Sequence, residues 1–127
     1  MVNKVVLIGR LTRDPNELRN SSSGDVKFSS FTLAVDNGSS KEDSNTNFIP
    51  VVLFNRTAEF VCNYARKGAL VAVEGRLQQR SYQNKEGKTV NVVEVVADSV
   101  QLLESKNVVE ARNKENAVAV TDVYLPF

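Results

Sequence analysis

The sequence contains no histidine and a single cysteine, Cys62. The first absence removes Ser-His-Asp and Cys-His nucleophile pairs, imidazole metal ligands and any histidine pH switch. The second excludes an internal disulfide and a thiolate metal cage. With no imidazole to activate it, Cys62 reads as a small buried hydrophobe. Long hydrophobic runs are missing too. The apolar stretch near the start is interrupted by Lys4 and Arg10, too soon for a signal-peptide core, and no stretch has the length and apolarity of a membrane-spanning helix. The expectation is a soluble protein of a reducing compartment. An excess of either charge is also absent: 16 basic residues against 15 acidic ones leave +1. Bulk polycation behaviour is thereby excluded, and any anion site must come from local clustering. What is present is 127 residues, 42% of them hydrophobic, enough for one domain with its own core.

Val5 to Leu11 is β-branched and aliphatic, with Gly9 marking a bulge or a close backbone approach. Asp14-Pro15 ends that strand, and residues 20–25 read as a loop. Val26 to Val35 alternates, with Phe31, Leu33 and Val35 on one face and Ser30, Thr32 and Ala34 on the other. Asp36 to Asn47 has no large apolar residue and is expected to be a long polar loop of the kind that carries function. Phe48 to Phe54 reads as a strand. Asn55 is expected to cap a helix over Arg56 to Lys67, with Gly68 as its stop and Ala58, Val61, Tyr64 and Ala65 on its packing stripe. A strand from Ala69 towards Tyr82, a turn at residues 84–88, and a last strand over Thr89–Val96 and Val100–Leu103, broken near Asp98, complete the chain's order. Five strands with one helix between the third and fourth predict an all-β chain with one helix, the five-stranded oligonucleotide-binding (OB-fold) barrel, followed by a short C-terminal tail.

Catalytic chemistry finds no foothold. Gly87-Lys88-Thr89 would need a glycine at position 82 to form a phosphate-binding loop, and that position holds Tyr82. Glu59 is expected in the first helical turn, where a carboxylate complements the dipole. With Glu74, Glu94 and Asp14 it reads as surface or a structural ion pair, since no two carboxylates have the spacing of a metal site or an acid/base pair. No enzyme, metal or cofactor is expected. Aromatic and basic residues remain. Phe48, Phe54 and Tyr82 are interleaved with Arg56, Lys67, Arg76 and Arg80, while Lys41 and Lys85 tip two loops; residues 45–82 carry +3 in a chain of +1. Rings between cations suit single-stranded nucleic acid, with bases on rings and phosphates on cations. Phe28, Phe31 and Phe60 read as core or interface. Phe48 and Phe54 are six apart and so share one face of their strand, but periodicity alone leaves open whether that face is core or groove.

Several segments, taken together in order and spacing, resemble the bacterial single-stranded DNA-binding protein family. They are Asn3-Lys4-Val5 with Leu7-Ile8-Gly9-Arg10-Leu11-Thr12-Arg13-Asp14-Pro15, Phe31-Thr32-Leu33-Ala34-Val35, Ala58-Glu59, Tyr64-Ala65-Arg66-Lys67-Gly68, Val73-Glu74-Gly75-Arg76-Leu77 and Val93-Glu94-Val95-Val96-Ala97. The resemblance implies a binding domain over residues 1–104 and a short linker and tip over 105–127. It implies base stacking on Phe48, Phe54 and Tyr82, and phosphate contacts at Lys4, Arg10, Arg56, Lys67 and Arg80. The family often carries a further stacking aromatic in the long loop, where this chain has Ser39. Leu125-Pro126-Phe127, with Asp122 before it, is similar to the family's tip and implies recruitment of replication and repair proteins. Side-chain charges over 105–127 cancel, however, and that stretch has no glycine. The family also implies a homotetramer, a cytoplasmic, nucleoid-associated location and roles in replication, recombination and repair. An OB-fold subunit that binds protein in a replication or conjugation assembly is the alternative reading.

Overall fold

A computed structural model describes residues 1–38, 45–104 and 111–114. Its strands are β1 (Val5–Leu11), β2 (Arg19–Asn20), β3 (Lys27–Asp36), β4 (Thr46–Phe54), β5 (Leu70–Gln83) and β6 (Thr89–Leu102), with one helix, α1 (Asn55–Tyr64), between β4 and β5. Antiparallel ladders join β1 to β5, β5 to β6 and β4 to β3, and a short parallel pairing joins β4 to β6 at Val51↔Val95 and Val52↔Val96. A last pairing of β1 with β3, at Arg10↔Ala34 and Leu11↔Leu33, closes the five long strands into a ring. Apart from the two-residue β2, which takes Asn20 from the expected loop, the element order is the one the sequence predicted for an oligonucleotide-binding fold.

Alternation places the core. Leu11, Leu33, Val51, Leu53, Val71, Val73 and Val95 are fully or almost fully buried inside the ring, and α1 adds Ala58 and Val61 against β3, β4 and β6. Burying each such Leu or Val side chain stabilises the fold by about 1.5–3 kcal/mol. Closure needs a bare backbone at two places. A Cβ on Gly9 would lie 2.3 Å from the Ala34 carbonyl oxygen at the β1–β3 seam, and one on Gly75 would lie 2.0 Å from that of Val96. Gly9 is thus the close approach that its place inside a strand suggested.

Several local expectations are corrected. Asp36 pairs with Thr46 and Val35 with Asn47, so the ladder consumes both ends of the expected long loop. Residues 39–44, with Ser39 and Lys41, lie outside the described residues, as do the tip residues Asp122, Leu125, Pro126 and Phe127. The helix ends at Tyr64, three residues early, because Ala65 turns extended (φ −97°, ψ 142°) while still donating its N–H to the Val61 carbonyl. Gly68 instead donates to the Leu11 carbonyl at 2.9 Å, tying the turn after the helix to the end of β1. Asn55 caps nothing: its φ is 51°, and its Oδ1 accepts the Lys27 N–H at 3.2 Å across the β3–β4 end. Glu59 therefore falls beyond the first turn, and it pairs with Lys27 at 2.6 Å. Tyr64 is exposed, not on the packing stripe, and Cys62 is only half-buried, its Sγ 3.6 Å from the Asn16 carbonyl. The break near Asp98 is a register shift: Glu74 faces Ser99 and Gly75 faces Ala97, so Asp98 is skipped while β6 continues.

Candidate nucleic-acid interface

The face of β4 that the ring does not bury carries Phe48 and Phe54, which are 64% and 40% exposed, while Ile49, Val51 and Leu53 point the other way. That answers the question periodicity left open: the shared face is the outside. Register then sets Phe54 directly across from Phe28 on β3, and Phe48 across from Ala34. Phe28, predicted to be core or interface, is exposed at the surface, whereas Phe31 is buried as expected. Phe28 and Phe54 line an open groove of about 620 Å³, whose other walls include Arg19, Val52, Gln78, Arg80 and Glu94.

One buried charge organises the groove. Glu94 is 3% exposed, and a carboxylate so placed needs a cation and hydrogen bonds to offset its desolvation. It receives Arg80 Nε at 3.0 Å and Gln78 Nε2 at 3.3 Å, both from β5 across the ladder. The hydrogen bond and charge of Glu94 hold the Arg80 guanidinium above its usual pKa. Arg80 nevertheless remains half exposed, and its Cζ lies 5.8 Å from the centroid of the Tyr82 ring, two residues along the same face of β5. A ring, a cation and a second aromatic pair thus occupy one continuous outer surface.

The remaining residues expected at a site do not line this groove. Lys4 pairs with Glu74 at 2.5 Å across β1 and β5. Arg10 donates to Glu104 at 2.8 Å and to the Gly68 carbonyl at 3.1 Å, and Glu104 also holds Arg112 from the helical turn at 111–114. Those arginines, Arg112 above all, keep the Glu104 carboxyl below its ordinary pKa. Lys67 lies at the same end, its backbone N–H donating to Asp14 Oδ1 at 2.8 Å. Arg56 is exposed on α1 beside a separate depression. Phe28, Arg19, Gln78 and Glu94 were missed as site residues. For Phe28 a signal existed, since it sits in phase with Ser30 and Thr32 on the polar face of its strand.

Residues 2–103 match the Single-strand binding protein family. The chain belongs to that family. Over 109 residues, 84% of this chain, it is 54% identical to "Single-stranded DNA-binding protein 2" of Staphylococcus aureus (strain COL), covering 77% of that protein. Over the same share it is 51% identical to "Single-stranded DNA-binding protein 1" of Staphylococcus aureus (strain MSSA476), covering 69% of it. The family's fold is the OB-fold, which the closed ring with α1 between β4 and β5 embodies, and its members bind DNA without catalysing a reaction. Among the described residues no cluster of acidic or cysteine side chains could hold a metal ion, and no helix is long and apolar enough to cross a membrane.

Proposed function

We propose that this chain binds single-stranded DNA with little regard to sequence and shields it during replication, recombination and repair. The observation that carries the reading is the groove in which Phe28 and Phe54 face each other beside Arg80, with Tyr82 next along the strand. Exposed rings accept any base by its flat face, and cations bind phosphates. In this reading Phe48, Phe54 and Tyr82 stack bases. Arg56, Lys67 and Arg80 meet phosphates directly. Lys4 and Arg10 contribute less, because each must first release a carboxylate, Glu74 or Glu104. Residues 1–104 form the binding domain and 105–127 the linker and tip.

Exposed Val6 and Ile8 on β1, 64% and 56% accessible in one chain, support assembly of copies, and we assign the homotetramer to that apolar strand face. The tip, Asp122 with Leu125, Pro126 and Phe127, is assigned to capture by replication and repair proteins in the cytoplasm, near the nucleoid. A titration of poly-thymine against salt, read together with mass in solution, tests the whole reading. Tight binding that weakens as salt rises, on a particle of four chains, is expected. Equal affinity for single strand and duplex at physiological salt would overturn it.

A further inference from the structure

The solvent face of α1 carries aromatic residues that the groove does not use. Arg56, Phe60 and Tyr64 recur every four residues, so they form one stripe about 12 Å long at 1.5 Å per residue. Phe60 is 37% and Tyr64 52% exposed, and their rings meet at 5.3 Å with their planes tilted by 42°. The helix already packs on the ring through Ala58 and Val61, so neither aromatic is required by the core. Phe60 and Arg56 also border a depression of about 260 Å³ shared with Asp98, Ser99 and Val100 of β6.

Charge identifies the occupant. Neither Arg56 nor Lys67, three residues beyond Tyr64, makes a side-chain ion pair among the described residues. Of the nearby acids, Glu59 is matched by Lys27 at 2.6 Å and Asp98 by Arg76 at 3.3 Å, while Asp14 takes the backbone N–H of Lys67 and leaves its ammonium group unpaired among the described residues. Two open cations therefore flank two exposed rings, a surface complementary to a polyanion that carries flat apolar groups. Continuity points the same way. Phe54 lines the groove and α1 starts at the next residue, so a strand leaving the groove over Phe54 comes first to Arg56.

We infer that the Arg56–Phe60–Tyr64 stripe, continued by Lys67, is a second base-stacking platform that holds single-stranded DNA beyond the groove. The inference rests on the proposed DNA binding and lengthens its track. The test pairs Phe60→Leu/Tyr64→Leu, which keeps apolar bulk on the helix and removes the rings, with Phe54→Ala in the full chain. A short thymine oligonucleotide, near the low end of the about 4–16 nucleotides that one OB-fold covers, should bind the double variant like the wild type. Poly-thymine should bind it more weakly, by roughly tenfold for each base that loses its ring. An iodouracil-substituted long oligonucleotide should crosslink to the peptide containing Tyr64 in the wild type. Failure of the wild type to bind any single strand would remove the DNA reading itself. If Phe54→Ala weakens binding but the double variant holds poly-thymine normally and Tyr64 does not crosslink, the platform alone is overturned. A changed particle mass in the double variant, with poly-thymine affinity intact, would assign the stripe to contacts between copies and overturn it equally.

Discussion

Two arginine–glutamate pairs, Arg80–Glu94 at 3.0 Å and Arg10–Glu104 at 2.8 Å, look interchangeable as distances. Their surroundings differ. At the groove the carboxylate is sunk, 4% exposed, while the arginine stays 53% exposed, with only its Nε engaged among the described residues. At the other end both partners are about one-fifth exposed, Arg10 also bonds the Gly68 carbonyl, and Glu104 also takes Arg112 and the Leu70 N–H. A guanidinium has five N–H donors. Arg80 spends only its Nε donor and keeps the rest of a half-exposed group towards water. Arg10 spends Nη1 on two acceptors and is largely buried, so the fold offers the first to a ligand far more than the second. In the proposed reading the same pair serves as a binding element in one place and as a clasp in the other.

The largest effect is expected next to the clasp. Gly9→Ala pushes a methyl into the Ala34 carbonyl and should cost about 3 kcal/mol in urea unfolding, whereas changes at the groove should leave the unfolding midpoint nearly unmoved. Second is the groove's own ring: Phe54→Ala should lower affinity for poly-thymine by about 1–3 kcal/mol in a fluorescence titration. Third, the two pairs can be neutralised alike. Arg80→Gln/Glu94→Gln should reduce the slope of log affinity against log salt by about one. Arg10→Gln/Glu104→Gln should change that slope far less and instead lower stability by about 1–2 kcal/mol. If both double variants behave the same way, the distinction between open and closed arginines fails.

The smallest effect is a pH dependence confined to the clasp. Arg112 first, and then Arg10, hold Glu104 below the ordinary carboxyl pKa of 4.5. Its contribution is therefore complete above that ordinary value and fades as the pH falls through the lower, folded one. Melting temperatures of the wild type and Glu104→Gln should differ at neutral pH and converge on acidification. A gap that persists at the acid end would show that the carboxylate charge is not what stabilises this corner.

Strand phase was the most legible property. Alternation in residues 48–54 put Phe48 and Phe54 on one face, and the order of elements gave the ring and its helix. Even the missed Phe28 was written in the same code, two residues from Ser30 and four from Thr32. What local sequence could not express was competition between distant groups. Asn55 has the chemistry of a helix cap, yet the Lys27 N–H, 28 residues away, claims its oxygen. Arg10 stands among the residues that the family resemblance puts near phosphates, and nothing local shows that Glu104, 94 residues on, folds against it. Lys4 and Glu74 repeat the case across 70 residues. The +3 of residues 45–82 singled out the half of the chain that holds Arg80, but only pairing in space told its open cations from those, such as Arg76, that face an acid.

The β5–β6 ladder runs on to Gln83↔Thr89, well beyond Arg10↔Leu70 and Val5↔Gly75, where β1 supports β5, and beyond Val52↔Val96, where β4 supports β6. Nearly its outer half is a cantilever: past Leu77, among the described residues, each strand has only the other as a hydrogen-bonded strand partner. Bending there costs the ring no hydrogen bond, and Tyr82 rides on the free end while Phe54 is fixed at the root. If the two rings stack bases as proposed, the gap between them is a length that this ladder can adjust, to follow the uneven spacing of bases in an unpaired strand. Amide exchange along β5 should record the hinge directly, slow from Leu70 to Gly75 and progressively faster towards Gln83.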